Sequence, residues 1–270
     1  MVAFANAKIN IGLQVLSRRE DGYHNLETIF YPVNIYDVLE VVEAPDTRFI
    51  PSGIPIPGGG QDNLCLRAYR LLSESHDLPP VHIYLHKTIP IGAGLGGGSA
   101  DAAFLLKLLN TMFALGLSES QLTGYARQLG ADCPFFIRNT PVLATGIGDV
   151  FEAVRVDLSE YHLVLVTPRV HVSTAAAYRG VTPDPKGRQL KTAITHPVAT
   201  WRDTIVNDFE VGIFALHPEI AAVKRKLYEN GAVFASMSGS GSSVYGLFSK
   251  PVKIVDMEKD NQVFYVGGER

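Results

Sequence analysis

An α+β protein in two domains is predicted by three features of the sequence. Residues 9–15 alternate apolar and polar; a strand pattern at 81–85 leads through a glycine-rich loop into an apolar helical stretch at 99–113; and a second section after residue 154 carries strand and helix patterns of its own. With 270 residues and 46% hydrophobic composition the chain can bury one large core or two modest ones. The expected division is 1–154 and 155–270, with the glycine-rich loop in the first part.

Ile9, Ile11, Leu13 and Val15 alternate with Lys8, Asn10, Gly12 and Gln14, the period-2 pattern of a strand with one buried face. Lys8 and Asn10 therefore share a face. After the polar turn Ser17 to Gly22 come Tyr23, His24 and two further strand-like runs, Leu26 to Val33 and Val38 to Val42. Residues 51–60, with three prolines and three successive glycines, read as a surface loop before a helix from Leu64 to Leu72. Ser118 and Gln121 make a capping-box pattern and Gly130 supplies a C′ glycine, predicting a helix over 119–129 with Asp132 just beyond it. Further on, a strand at Leu163 to Val166, a short helix at Thr174 to Tyr178, a polar proline-bearing loop at 183–197, a helix from Pro218 to Leu227 and strands at 232–237 and 243–248 are expected.

The net charge is -3 and the basic residues are scattered, so nothing in the charge pattern points to nucleic acid or to an anionic membrane. Cys65 and Cys133 stand far apart and form neither a disulfide framework nor a C-x-x-C pair. No apolar stretch reaches ~20 residues and no secretory pattern opens the chain, so a cytoplasmic location without a membrane partner is expected.

Five of the seven residues from Gly92 to Gly98 are glycine. Glycine lets successive backbone N–H groups converge on one point, and the N-terminus of the following helix adds the positive end of its dipole, which makes an anion site. Gly92, Gly94 and Gly97 satisfy G-x-G-x-x-G, yet the region about 20 residues on, Ala114 to Glu119, reads as a turn between helices and not as the strand end that a dinucleotide site requires. Gly98-Ser99-Ala100 lacks the lysine of a Walker A loop.

The run Pro90-Ile91-Gly92-Ala93-Gly94-Leu95-Gly96-Gly97-Gly98-Ser99-Ala100 resembles the ATP-binding signature of the GHMP kinases, the family of galactose, homoserine, mevalonate and phosphomevalonate kinases. Ala7-Lys8-Ile9-Asn10, Asp21-Gly22-Tyr23-His24, Ala131-Asp132-Cys133-Pro134-Phe135, Asn207-Asp208 and Ser238-Gly239-Ser240-Gly241 follow the order seen in that family's branch acting on a cytidyl diphosphate methylerythritol. The similarity spans residue 3 to about 248. Asn6 stands where many relatives have proline, Ala100 where many have serine, and the tail is short, leaving room for about two helical turns at Val252 to Lys259.

The resemblance implies a ribosomal-S5-type N-terminal domain, a ferredoxin-like C-terminal domain, and ATP with Mg²⁺. The implied reaction is phosphorylation of the 2-hydroxyl of the cytidyl substrate in non-mevalonate isoprenoid precursor biosynthesis, by a monomer or weak homodimer. Other readings are a mevalonate-, homoserine- or sugar-type kinase of the same family, a dinucleotide oxidoreductase, and a nucleotide-binding protein without turnover.

Phosphoryl transfer needs positioned phosphates, charge neutralisation and a group that takes the acceptor proton. Asp132 is the candidate for that group and Lys8 its partner; both match residues assigned to catalysis in the family. The resemblance further implies that residues 90–100 bind ATP, that Asn10 contacts substrate, that Tyr23 and Tyr178 sandwich the cytosine ring, and that His24 and Thr174 contact the cytidyl part. Pro134 is expected to hold Cys133 extended and so fix Asp132. Ser99 reads equally as a helix cap or as a hydroxyl for Mg²⁺ or phosphate. Asp101, which would repel bound phosphate, is expected to turn away or to act through the metal. No cluster has the spacing of a fixed metal site, so the metal is expected to arrive with the nucleotide.

Overall fold

The computed structural model describes residues 1–60, 63–187 and 189–267. They form two compact units that are not consecutive segments of chain: the first comprises Met1–Lys8, Asn34–Ile91 and Gly96–Thr140, the second Ile9–Val33, Gly92–Leu95 and everything from Pro141 onward. Two long strands, β1 (Val2–Arg18) and β2 (His24–Glu43), contribute one end to each unit.

In the first unit β2 pairs antiparallel with β4 (Val81–Lys87), from Val38 opposite His86 to Glu43 opposite Val81, and β4 pairs in parallel with β3 (Arg48–Gly53). Four helices complete it: α1 (Leu64–Ser73), α2 (Gly97–Met112), α3 (Glu119–Leu129) and the short α4 (Cys133–Arg138). Leu72, Ile83, Leu85, Leu105, Leu106, Phe135 and Phe136 are buried here. The expected capping box is present, with the Ser118 hydroxyl accepting from the Gln121 N–H and Gln121 reaching back to Ser118.

In the second unit β2 pairs with β5 (Val142–Thr145), which forms a hairpin with β6 (Val150–Ala153). A separate antiparallel sheet has the order β10–β7–β9–β8, made by β7 (His162–Pro168), β8 (Phe234–Met237), β9 (Val244–Phe248) and β10 (Asn261–Val266). Between these strands lie α5 (Thr174–Arg179), the single turns α6 (Leu190–Ala193) and α7 (Trp201–Thr204), α8 (Phe209–Leu216), α9 (Pro218–Glu229) and the turn α10 (Val255–Glu258). Leu13, Val15, Val164, Val166, Phe209, Ile213, Val223 and Leu227 share one core.

Several expectations are corrected. β1 is buried on both faces from Ala5 to Val15, so the polar residues at 8, 10, 12 and 14 face protein and not water. At Gly12 a Cβ would stand 2.8 Å from Leu190 Cδ1 and 2.9 Å from Ile205 Cγ2, which shows what covers that face. The two runs at 26–33 and 38–42 are one strand. Residues 51–53 belong to β3, where Pro51 is tolerated because β3 ends the sheet, and Pro57–Gly60 form a 3₁₀ turn. Gly130 has φ 169°, extended and not left-handed, because the chain turns at once toward α4. Cys133 is helical: Pro134 sits in the first turn of α4, where no backbone N–H is required of it. The 183–197 loop contains the buried Leu190 of α6, and the tail makes one helical turn followed by strand β10.

Candidate active site

The glycine-rich segment is built from alternating left-handed residues. Gly92, Gly94 and Gly96 have φ of 67°, 79° and 69°, a conformation L side chains resist. Gly96 precedes α2 and offers no side-chain cap, so the backbone donors of the first turn remain available to a ligand. In the first unit Gly96 lies against Lys8 and Phe136: a Cβ there would be 3.2 Å from Lys8 Cε and 3.0 Å from Phe136 Cζ.

Lys8 Nζ stands 3.6 Å from Asp132 Oδ2, with the Lys8 side chain 5% exposed and that of Asp132 34%. Burial lowers the Lys8 pKa, and the neighbouring Asp132 carboxylate offsets part of that shift. Asp132 is the N-cap residue of α4, its side chain making no capping bond. The carboxylate is thus held by a turn and a short helix while remaining open to a reactant. Cys133 next to it is buried and in hydrogen-bond contact with Ser99; burial pushes its thiol up to about 11, so it is not a nucleophile.

Asp101 turns away from the loop. Its Oδ2 accepts from Lys87 Nζ at 2.8 Å, and Lys87 also donates to Asp37, all three being almost wholly buried. Asp37 Oδ1 in turn accepts from the N–H groups of Thr88 (2.6 Å) and Ile89 (2.9 Å), tying down the strand end that leads into the loop. Burial is the main cause that pushes the Asp101 carboxyl up to about 7, partly opposed by Lys87.

In the second unit the Gly94 carbonyl accepts the Ser238 hydroxyl at 2.8 Å, Ser238 Oγ accepts the Asn10 N–H at 3.1 Å, and the Ala93 carbonyl accepts from the Ser243 N–H. Asn207, buried just before α8, donates to the Met237 and Gly239 carbonyls and so ties down the start of the 238–243 loop. Glu210 accepts from the Met237 N–H at 2.8 Å and from Lys224 at 2.6 Å. The side-chain amide of Asn10 donates to Thr28 Oγ1.

The aromatic candidates also gather in this unit. The His24 ring stacks on Tyr178 at 4.6 Å and 17°, and Tyr178 meets Phe209 edge-on. Tyr23 is 61% exposed. It is presented by a turn in which Arg19 grips Asp21 through Nε and Nη2 while Asp21 accepts the Tyr23 N–H. That grip holds the Asp21 carboxyl below the usual range. The Thr174 hydroxyl lies 3.4 Å from that of Ser240.

Residues 63–140 match the N terminal domain of the GHMP kinases and residues 198–258 their C terminal domain. A 4-diphosphocytidyl-2-C-methyl-D-erythritol kinase of Azobacteroides pseudotrichonymphae is 54% identical over 94% of this chain and 95% of its own length, and that of Parabacteroides distasonis is 50% identical over 100% and 99%. The chain belongs to the GHMP kinases. Its fold agrees: a crystal structure of 4-(cytidine 5'-diphospho)-2C-methyl-D-erythritol kinase superposes with TM-score 0.83 at 32% identity, covering 100% of both chains. Mevalonate kinase of Methanococcus jannaschii, 13% identical, shares the fold with TM-score 0.73 over 100% of this chain and 98% of its own.

For this GHMP kinase the sequence reading missed Asp37, Lys87, Thr28 and Glu210, and it saw Asn207 only as part of a motif. Glu210 left a signal, an acid among the apolar residues of Phe209–Leu216. Lys87 and Asp37 left none, being 50 residues apart. Among the described residues no group of three or more His, Cys, Asp or Glu is gathered for a metal.

Proposed function

We propose that this GHMP kinase transfers the terminal phosphoryl group of ATP to the 2-hydroxyl of 4-diphosphocytidyl-2-C-methyl-D-erythritol, a step toward isoprenoid precursors. The observation that carries the reading is the Lys8–Asp132 pair at 3.6 Å, with the Lys8 stem packed on Gly96 at the uncapped start of α2. Ammonium, carboxylate and the uncapped first turn of α2 thus stand together in one unit. The choice of acceptor rests on the relatives, which carry that substrate in their names.

In the mechanism the N–H groups of residues 92–100 and the α2 dipole hold the nucleotide phosphates. The Asp132 carboxylate accepts the proton of the acceptor hydroxyl as that oxygen attacks phosphorus. The Lys8 ammonium, 3.6 Å from the Asp132 carboxylate, holds that group in place and offsets the charge that develops on the transferred group. Mg²⁺ would be held by the nucleotide phosphates themselves, which fits a site whose nearby Asp101 is committed to Lys87. When bound, the ion neutralises phosphate charge.

Tyr23, Tyr178, His24, Thr174 and Asn10 are assigned to the cytidyl substrate. In the structure one face of Tyr178 is covered by His24, so a cytosine ring that stacks there displaces the imidazole or stacks on its outer face. Tyr178→Ala is expected to raise KM for the cytidyl substrate about tenfold with kcat changed less than about threefold, since stacking acts on ground and transition states alike. An unchanged KM in steady-state kinetics removes Tyr178 from the site. The acceptor assignment is tested by ADP release with the cytidyl substrate, mevalonate and homoserine in parallel; turnover is expected with the first alone.

A further inference from the structure

With Asp101 ionised, as it is above the value of about 7 to which burial pushes its carboxyl, the buried cluster beneath the phosphate loop has the wrong sign for an anion site. Lys87 supplies one positive charge to two carboxylates, Asp37 and Asp101, whose side chains are 0% and 3% exposed. Asp37 is satisfied on both oxygens, by Lys87 and by the N–H groups of Thr88 and Ile89. Asp101 is not: its Oδ1 is buried without a hydrogen-bond partner among the described residues. Asp101 is the fifth residue of α2, about 6 Å along the axis from its first, so its charge opposes both the positive end of the helix dipole and any phosphate bound there. An asparagine at 101 would keep the Lys87 contact and remove the opposition. The carboxylate is therefore not required for the hydrogen bond it makes.

We propose that Asp101 sets the nucleotide affinity of this kinase by weakening it. The net negative cluster raises the free energy of bound ATP and ADP together, which leaves the chemical step unaffected and speeds the departure of ADP. Lys87 is the counter-charge that keeps the penalty small. The inference rests on the phosphate-loop reading given above.

The test is ADP affinity by titration calorimetry at pH 8, with dissociation followed by stopped flow, on four intact proteins: wild type, Asp101→Asn, Lys87→Met/Asp101→Asn and Gly98→Glu. Counting charge in the cluster, Asp101→Asn removes the net negative charge and should bind ADP about tenfold tighter, with dissociation slowed to match, the order expected for a unit charge acting over about 10 Å at an effective dielectric near 20. The double variant restores the net negative charge and should return to wild-type affinity, an outcome that a purely structural role for the cluster would not produce. Affinity equal to or weaker than wild type in Asp101→Asn, or a double variant that stays tight, overturns the proposal. Gly98→Glu separates the two readings. Gly98 is open, its nearest neighbour to an added Cβ being Leu64 Cδ1 at 3.8 Å, so the variant folds while placing a carboxylate at the helix start. If it binds ADP as wild type does, the phosphate-loop reading itself fails.

Discussion

Replacing Asp132 by asparagine is expected to lower kcat by ~10²–10⁴ while leaving the KM values for nucleotide and acceptor within a few fold. The substitution keeps size and removes the basic carboxylate, so the loss falls on the transition state. It has a second consequence. Burial lowers the Lys8 pKa and Asp132 raises it again, so without Asp132 the ammonium loses its support and its pKa falls further. Lys8 is then deprotonated at lower pH, and the alkaline limb of the residual activity should move to lower pH than in the wild type. A near-wild-type kcat, or an alkaline limb that does not move, removes the Lys8–Asp132 pair from the mechanism.

Gly94→Ala should reduce kcat/KM for ATP by about 10² or more. With φ at 79°, alanine costs about 1–2 kcal/mol in the left-handed region. The larger obstacle is steric, because its Cβ would lie 2.0 Å from the Ser238 carbonyl oxygen and 2.9 Å from the carbon. Both are backbone atoms, so the loop must shift, and the Ser238 hydroxyl that holds the Gly94 carbonyl shifts with it. About 3 kcal/mol of lost positioning corresponds to the stated factor. Gly98→Ala is the control: it has room and stands in a helix, so thermal unfolding and ATP kinetics side by side should show it close to wild type in stability. Equal ATP kinetics for Gly94→Ala and wild type would mean that the loop does not set the phosphates.

What was readable in the chain was whatever has a local cause. The strand over residues 9–15, the Ser118–Gln121 capping box and the strand, loop and helix around Gly92–Gly98 are written in short-range periodicity and turn chemistry, and each of these elements appears where expected. Lys8 and Asp132 were legible as motifs, and the structure pairs them. What was not readable depends on distant chain. Nothing near Lys8 or Gln14 says that both faces of β1 are covered, because part of the cover comes from Leu190 and Ile205. The Lys87–Asp37–Asp101 cluster joins three separate segments, so the turning away of Asp101 was one of two open outcomes until its partner was seen. The Cys133 expectation applied a rule for the residue before proline to a helix start, where that rule yields to the tolerance of a first turn.

The most direct measurement is the position of the new phosphate. Incubated with ATP, Mg²⁺ and 4-diphosphocytidyl-2-C-methyl-D-erythritol, the enzyme should give one phosphomonoester per ADP, with ³¹P coupling to the C2 carbon in the ¹³C spectrum. ADP without a phosphomonoester, a phosphate on a different hydroxyl, or readier phosphorylation of mevalonate or homoserine would contradict the account.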